Sequence, residues 1–93
     1  MSKQDGWKSF VELCSQAKSN EQLDAIFKTF FTLEEQAQMA DRVMLVKALL
    51  KGEKTQREIA ADLKISIAKI TRGSNQLKTT DAALLEYLKE HIN

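Results

Sequence analysis

Apolar residues recur at helical spacing along most of this chain, and polar residues suited to helix ends stand between the apolar stretches. Trp7, Phe10, Val11, Leu13, Cys14 and Ala17 form one broad stripe and predict a first helix over Gly6 to Lys18. Ser19 followed by Gln22 has the form of a capping box, opening a second helix through Leu23, Ile26, Phe27, Phe30 and Phe31. Thr32 with Glu35 repeats that form and starts the longest periodic segment, about twenty residues ending at Lys51, with Gly52 as its C-cap. On it Ala37, Ala40, Val43, Met44, Val46, Ala48, Leu49 and Leu50 wrap more than half the surface, as in a central helix packed on several sides, and Arg42 interrupts them.

The stretch Lys54 to Lys78 reads as two short helices joined by a tight turn. Thr55 with Glu58 caps the first and Ser66 the second. Ala60 is small enough to stand where the helices cross, while Ile59, Leu63, Ile65, Ile70 and Leu77 are spaced to bury together beneath them. Lys64 occupies the turn position that favours glycine, at a cost of about 1 kcal/mol if it is left-handed. Ile67, Ala68, Lys69 and Thr71 point outward from the second helix, with the reach and chemistry for base edges, thymine methyls and phosphates. The pattern is a helix-turn-helix over about residues 55 to 78. A last helix carries Leu84, Leu85, Leu88 and Ile92 on one face, with Thr79 or Thr80 as N-cap and Asp81 in its first turn. Six helices in a single domain, residues 1 to 93, make an all-α fold.

Composition sharpens this picture. There is no proline and there are only three glycines, so helices can run long. With 43% hydrophobic residues in 93, the chain has more apolar surface than one small core can cover, which predicts a homodimer with the Phe27, Phe30, Phe31 cluster at the subunit interface. The net charge of +1 is unevenly spread. Residues 42 to 78 carry nine Lys or Arg against three acids, +6, while residues 1 to 41 carry −3 and residues 79 to 93 carry −2. A phosphate-facing surface on a neutral or acidic body has that asymmetry. The apolar runs are too short for a membrane span and no hydrophobic signal segment opens the chain, so a cytoplasmic location is expected. Cys14 reads as a buried thiol and His91 as a surface or helix-end charge. No metal site, catalytic cofactor site or nucleophile and base pair can be assembled, which argues against an enzyme.

The segment from Ile70 to Asn75 followed by Leu77 and Lys78, with Thr55 to Leu63 ahead of it, resembles the signature of the tryptophan repressor family. The similarity runs from about Trp7 to Leu88 and is strongest from Arg42 to Lys78. The resemblance implies a six-helix fold assembled as an intertwined homodimer, with the helix-turn-helix as a movable reading head. It implies that an L-tryptophan indole lies between the guanidiniums of Arg42 and Arg72, with Gly73 allowing close approach. It assigns the ligand ammonium to backbone carbonyls of Thr29 and Phe31 from the partner chain, and makes Thr32 a wall residue. Gln76 stands where the best-known members carry a small hydroxyl residue, and Lys69 replaces a small residue at the DNA face. The family's DNA contacts fall on Gln56, Arg57, Ile67, Ala68, Lys69, Thr71 and Lys78, with Gln56 and Lys78 on phosphates.

The expected function is therefore a homodimeric repressor that binds a palindromic double-stranded operator when L-tryptophan, its co-repressor, is bound. The competing reading is a dimeric DNA-binding or protein-interaction module of the same superfamily that needs no ligand. Arg42 and Arg72 discriminate, because such a module has no need of two guanidiniums facing one gap.

Overall fold

The computed structural model describes residues 2–92. They form α1 (Lys3–Ser15), α2 (Asn20–Phe30), α3 (Leu33–Lys51), α4 (Gln56–Leu63), α5 (Ile67–Lys78) and α6 (Ala82–His91), with no strand among the described residues. The all-α, six-helix expectation is met.

Most helix ends are set by the local chemistry read from the sequence. Thr32 Oγ1 accepts from the Glu35 N–H at 3.0 Å while Glu35 Oε1 accepts from the Thr32 N–H at 2.9 Å, a reciprocal cap for α3. Thr55 and Glu58 repeat it on α4 at 3.2 and 3.0 Å. Ser66 Oγ accepts from the Lys69 N–H at 3.2 Å and opens α5. Gly52, after α3, has φ +67 as a left-handed C-cap does.

Three ends differ from the sequence reading. α1 begins at Lys3 rather than Gly6, because Ser2 and Asp5 form a further reciprocal cap. It ends at Ser15 rather than Lys18, since the Lys18 N–H donates to Gln22 Oε1 at 2.8 Å and so belongs to the entry of α2. Gln22 therefore closes no box with Ser19, whose hydroxyl still accepts from the Gln22 N–H at 3.1 Å. At α6 the cap is Asp81, accepting from the Ala83 and Leu84 N–H groups. Thr79 and Thr80, expected there, instead donate their hydroxyls to the Gln76 carbonyl at the end of α5. A carboxylate is the stronger acceptor for N–H groups that carry the positive end of the helix dipole.

The chain divides into two compact units, residues 1–36 and 37–93. In the first, Phe10 is the hub of an aromatic cluster, 6.0 Å from Phe27, 5.7 Å from Phe30 and 5.5 Å from Phe31 between ring centres. Neither α1 nor α2 has a buried residue. Trp7 is 65% exposed, Phe30 58% and Leu33 84%, so this cluster is only half a core. Cys14, expected to be buried, is half-buried and free.

The second unit holds the buried core. Leu45 of α3, Ile59 of α4 and Ile70 of α5 are all but sealed from solvent, and Ala48, Leu49, Ala60, Leu63 and Ile65 pack around them. Leu77, grouped with these by spacing, is half-buried. Ala60 stands in the packed layer between α4 and α5, as its size predicts, and its carbonyl accepts the Lys64 and Ile65 N–H groups. Lys64 is left-handed, with φ 56 and ψ 43. On α6, Leu84 and Tyr87 remain exposed, and His91 stacks on Tyr87 at 4.2 Å while donating to its carbonyl.

Candidate functional site

The second helix of the pair, α5, presents three faces, separated by its 3.6-residue period. Ile70 points into the core. Lys69, Arg72, Gly73 and Gln76, at i, i+3, i+4 and i+7, face a cavity of about 480 Å³. Ile67, Thr71 and Lys78, at i, i+4 and i+11, fall on a third face and are exposed.

The opposite wall of that cavity is α3, through Gln38, Asp41, Arg42, Leu45 and Val46, with Ile65 from the turn and Leu77 completing the lining. Its size lies within the range of about 300 to 1,000 Å³ typical of small-molecule sites. Leu45, Val46, Ile65 and Leu77 give the lining its apolar part, and both helices contribute polar groups to it. Arg42 and Arg72 come from opposite walls to one space, an arrangement suited to a flat aromatic ring with a carboxylate, since planar guanidinium both stacks on rings and pairs with carboxylates in bidentate fashion.

Gly73 has a packing role that spacing could not reveal. A Cβ built on it would meet Leu45 Cδ2 at 2.8 Å and Leu45 Cγ at 3.4 Å. The absent side chain thus lets α5 seat directly on the buried Leu45, and the same contact brings the Arg72 and Arg42 walls together. Leu45, Gln38 and Asp41 were not singled out as site residues. Gln38, Leu45 and Val46 lie at i−4, i+3 and i+4 from Arg42, which is the signal that could have found three of the missed wall residues.

Of the seven residues expected at the ligand, Arg42, Arg72, Gly73 and Gln76 line the cavity. Thr29, Phe31 and Thr32 belong to the 1–36 unit. There the Thr29 hydroxyl donates to the Ala25 carbonyl at 2.8 Å, the Phe31 carbonyl accepts from Gln36 Nε2 at 3.0 Å, and Thr32 caps α3.

All seven residues expected at DNA are exposed. Lys69, which the family resemblance puts at the DNA face, also lines the cavity, three residues before Arg72 on the same side of α5. Ile67 is a large apolar side chain held out to solvent beside the first turn of α5. Gln56 and Arg57 open α4, whose first turn is fixed by the Thr55 and Glu58 cap; the two hydrogen bonds with Thr55 hold the Glu58 carboxyl below its ordinary range. Lys54 pairs with Asp62, and that bond raises its pKa.

Among the described residues no group of His, Cys, Asp and Glu gathers to hold a metal ion, and no helix is long and apolar enough to cross a membrane.

Comparison with known proteins gives the chain its relatives. Residues 5–92 match the model of the family described as Trp repressor protein. A Trp operon repressor homolog of Chlamydia caviae is 48% identical over 88 residues, covering 95% of this chain and 87% of the relative. One of Chlamydia trachomatis serovar L2 is 43% identical over 89 residues, covering 96% and 95%. One of Vibrio campbellii is 39% identical over 87 residues, covering 90% and 87%.

Proposed function

The chain belongs to the Trp repressor protein family, and from that premise we propose that it is a tryptophan-responsive transcriptional repressor that binds operator DNA as a homodimer in the cytoplasm. The observation that carries this reading is the cavity beneath the recognition helix, with Arg42 and Arg72 on its two walls. An indole stacks between the guanidiniums against the apolar lining, and the ligand carboxylate pairs with Arg72.

Filling the cavity braces α5 against α3 and so fixes the direction of its outer face. Ile67, Ala68 and Thr71 then meet base edges in the major groove, while Gln56, Arg57 and Lys78 hold phosphates. In a symmetric dimer the two recognition helices must lie one turn of DNA apart, about 34 Å, the spacing established for helix-turn-helix dimers, this family among them. Without ligand the heads sample other directions, and operator affinity falls by the fraction of time spent in the competent one. Dimerisation is supported by the apolar surface that a single chain leaves open on α1, α2 and α6.

The test is operator affinity of the unaltered protein with and without L-tryptophan at fixed salt. Affinity should rise at least tenfold with saturating ligand. Equal affinities would replace this reading with that of a ligand-independent module.

A further inference from the structure

The cations on α4 and α5 are Arg57, Lys69, Arg72 and Lys78. In the reading above Arg57 and Lys78 hold phosphates and Arg72 holds the ligand carboxylate, which leaves Lys69 without a part. Lys69 is exposed, and its N–H is held by Ser66 Oγ at 3.2 Å. Among the described residues it is in no ion pair; the pairs present are Asp24 with Lys28, Lys54 with Asp62 and Glu86 with Lys89.

The first turn of α5 is Ile67, Ala68, Lys69 and Ile70. Ile70 is sealed in the core, and Ile67 and Ala68 are apolar, so Lys69 is the one side chain of that turn able to hydrogen-bond. The first residues of the second helix are the ones that reach base edges in a helix-turn-helix. Lys69 shares a side of α5 with Arg72, but helical side chains lean toward the N-terminus of their helix, which carries a long side chain in the first turn toward the end that enters the groove. A lysine ammonium has three donors and no acceptor. In the major groove guanine offers two adjacent acceptors, N7 and O6, whereas adenine sets an amino group beside its N7, cytosine shows an amino group, and thymine has one oxygen and a methyl. Ile67 and Ala68 suit the thymine methyl, and Lys69 suits guanine.

We propose that Lys69 is the guanine-reading residue of the operator half-site, its ammonium donating to O6 and N7 of one guanine in the major groove. This rests on the repressor reading and adds to it one base of the sequence that the dimer recognises, once in each half-site.

The experiment is selection of duplexes from a randomised pool by the unaltered protein, Lys69→Arg and Lys69→Met, all with saturating L-tryptophan, followed by affinity measurements on the selected sequence. The unaltered protein should select guanine at one position in each half-site and prefer it to adenine there by about tenfold, the size of one good pairing of side chain with base. Lys69→Arg should keep that preference. Lys69→Met should lose it at that position alone and leave the rest of the selected sequence as it was. Replacing the same guanine with 7-deazaguanine, which lacks the N7 acceptor, should weaken the unaltered protein several-fold and Lys69→Met not at all, and the first of these measurements involves no variant. A loss by Lys69→Met that is uniform over all duplexes, with a salt slope shallower by about one, would put Lys69 on a phosphate and overturn the proposal. Weaker L-tryptophan binding by Lys69→Met with its base preferences unchanged would make Lys69 a ligand residue, with the same result. If the unaltered protein selects a palindrome in which no guanine depends on Lys69, this proposal alone fails. If it selects no sequence at all, the repressor reading itself fails.

Discussion

Replacing Gly73 with alanine sets two known effects against each other at one atom. In a helix interior the change removes the conformational freedom of glycine and should stabilise by about 0.8 to 1.0 kcal/mol. Here the added Cβ would lie 2.8 Å from Leu45 Cδ2 and 3.4 Å from its Cγ. Leu45 can rotate its terminal methyls, but it is 3% exposed and packed among Ile59, Ile70 and their neighbours, so the space it would move into is already filled. Overpacking of this kind costs about 1 to 3 kcal/mol. The net expectation is a loss of about 1 kcal/mol, or a fall of about 4 to 8 °C in melting temperature for a domain of this size. Gly6, inside α1, is the control: nothing lies within 4 Å of its built Cβ, so Gly6→Ala should raise the melting temperature. Both variants are melted at one protein concentration, because dimerisation makes the midpoint concentration-dependent. Adding Leu45→Val to Gly73→Ala should cost less than the two single changes together, with a coupling of about 0.5 kcal/mol or more. If Gly73→Ala stabilises as Gly6→Ala does, α5 is not seated on Leu45 and the cavity geometry drawn from that contact is wrong.

Three further outcomes are expected. Sedimentation at micromolar concentration should show a dimer and no stable folded monomer, since Trp7, Phe30 and Leu33 are too exposed to be left open; a compact monomer at that concentration would contradict it. Arg72→Ala should weaken L-tryptophan binding by roughly a hundredfold through loss of stacking and of the carboxylate partner, and Arg42→Ala by less because only stacking is lost; the reverse order by calorimetry would exchange their roles. Glu58 has a pKa lowered by its bonds with Thr55, so its cap stabilises the fold above the ordinary glutamate range and that contribution is lost as the pH falls through the lowered value. Glu58→Gln should therefore flatten the acid limb of melting temperature against pH, and an unchanged limb would count against the cap.

The sequence by itself determined the six helices and most of their ends, because a cap is a matter of a few neighbouring residues. Thr32 with Glu35, Thr55 with Glu58 and Ser66 act over three residues, and no distant contact is needed to fix them. The same locality misled at Asp81, where carboxylate and hydroxyl competed for one cap and relative acceptor strength decided. The helix-turn-helix was also legible, since its crossing residue, turn and buried positions lie within one short stretch. Arg42, Arg72, Gly73 and Gln76 were reached through family resemblance rather than local pattern, and the outward residues of α5 through their period. Only the tertiary structure decided that Asp41 and Lys69 share a cavity, that Leu45 is the buried seat of α5, and that Gly73 is needed for packing. Those facts depend on how α3 meets α5 across more than twenty intervening residues, from Leu45 to Gly73, and a helical period says which residues share a face but not which face of another helix they will meet.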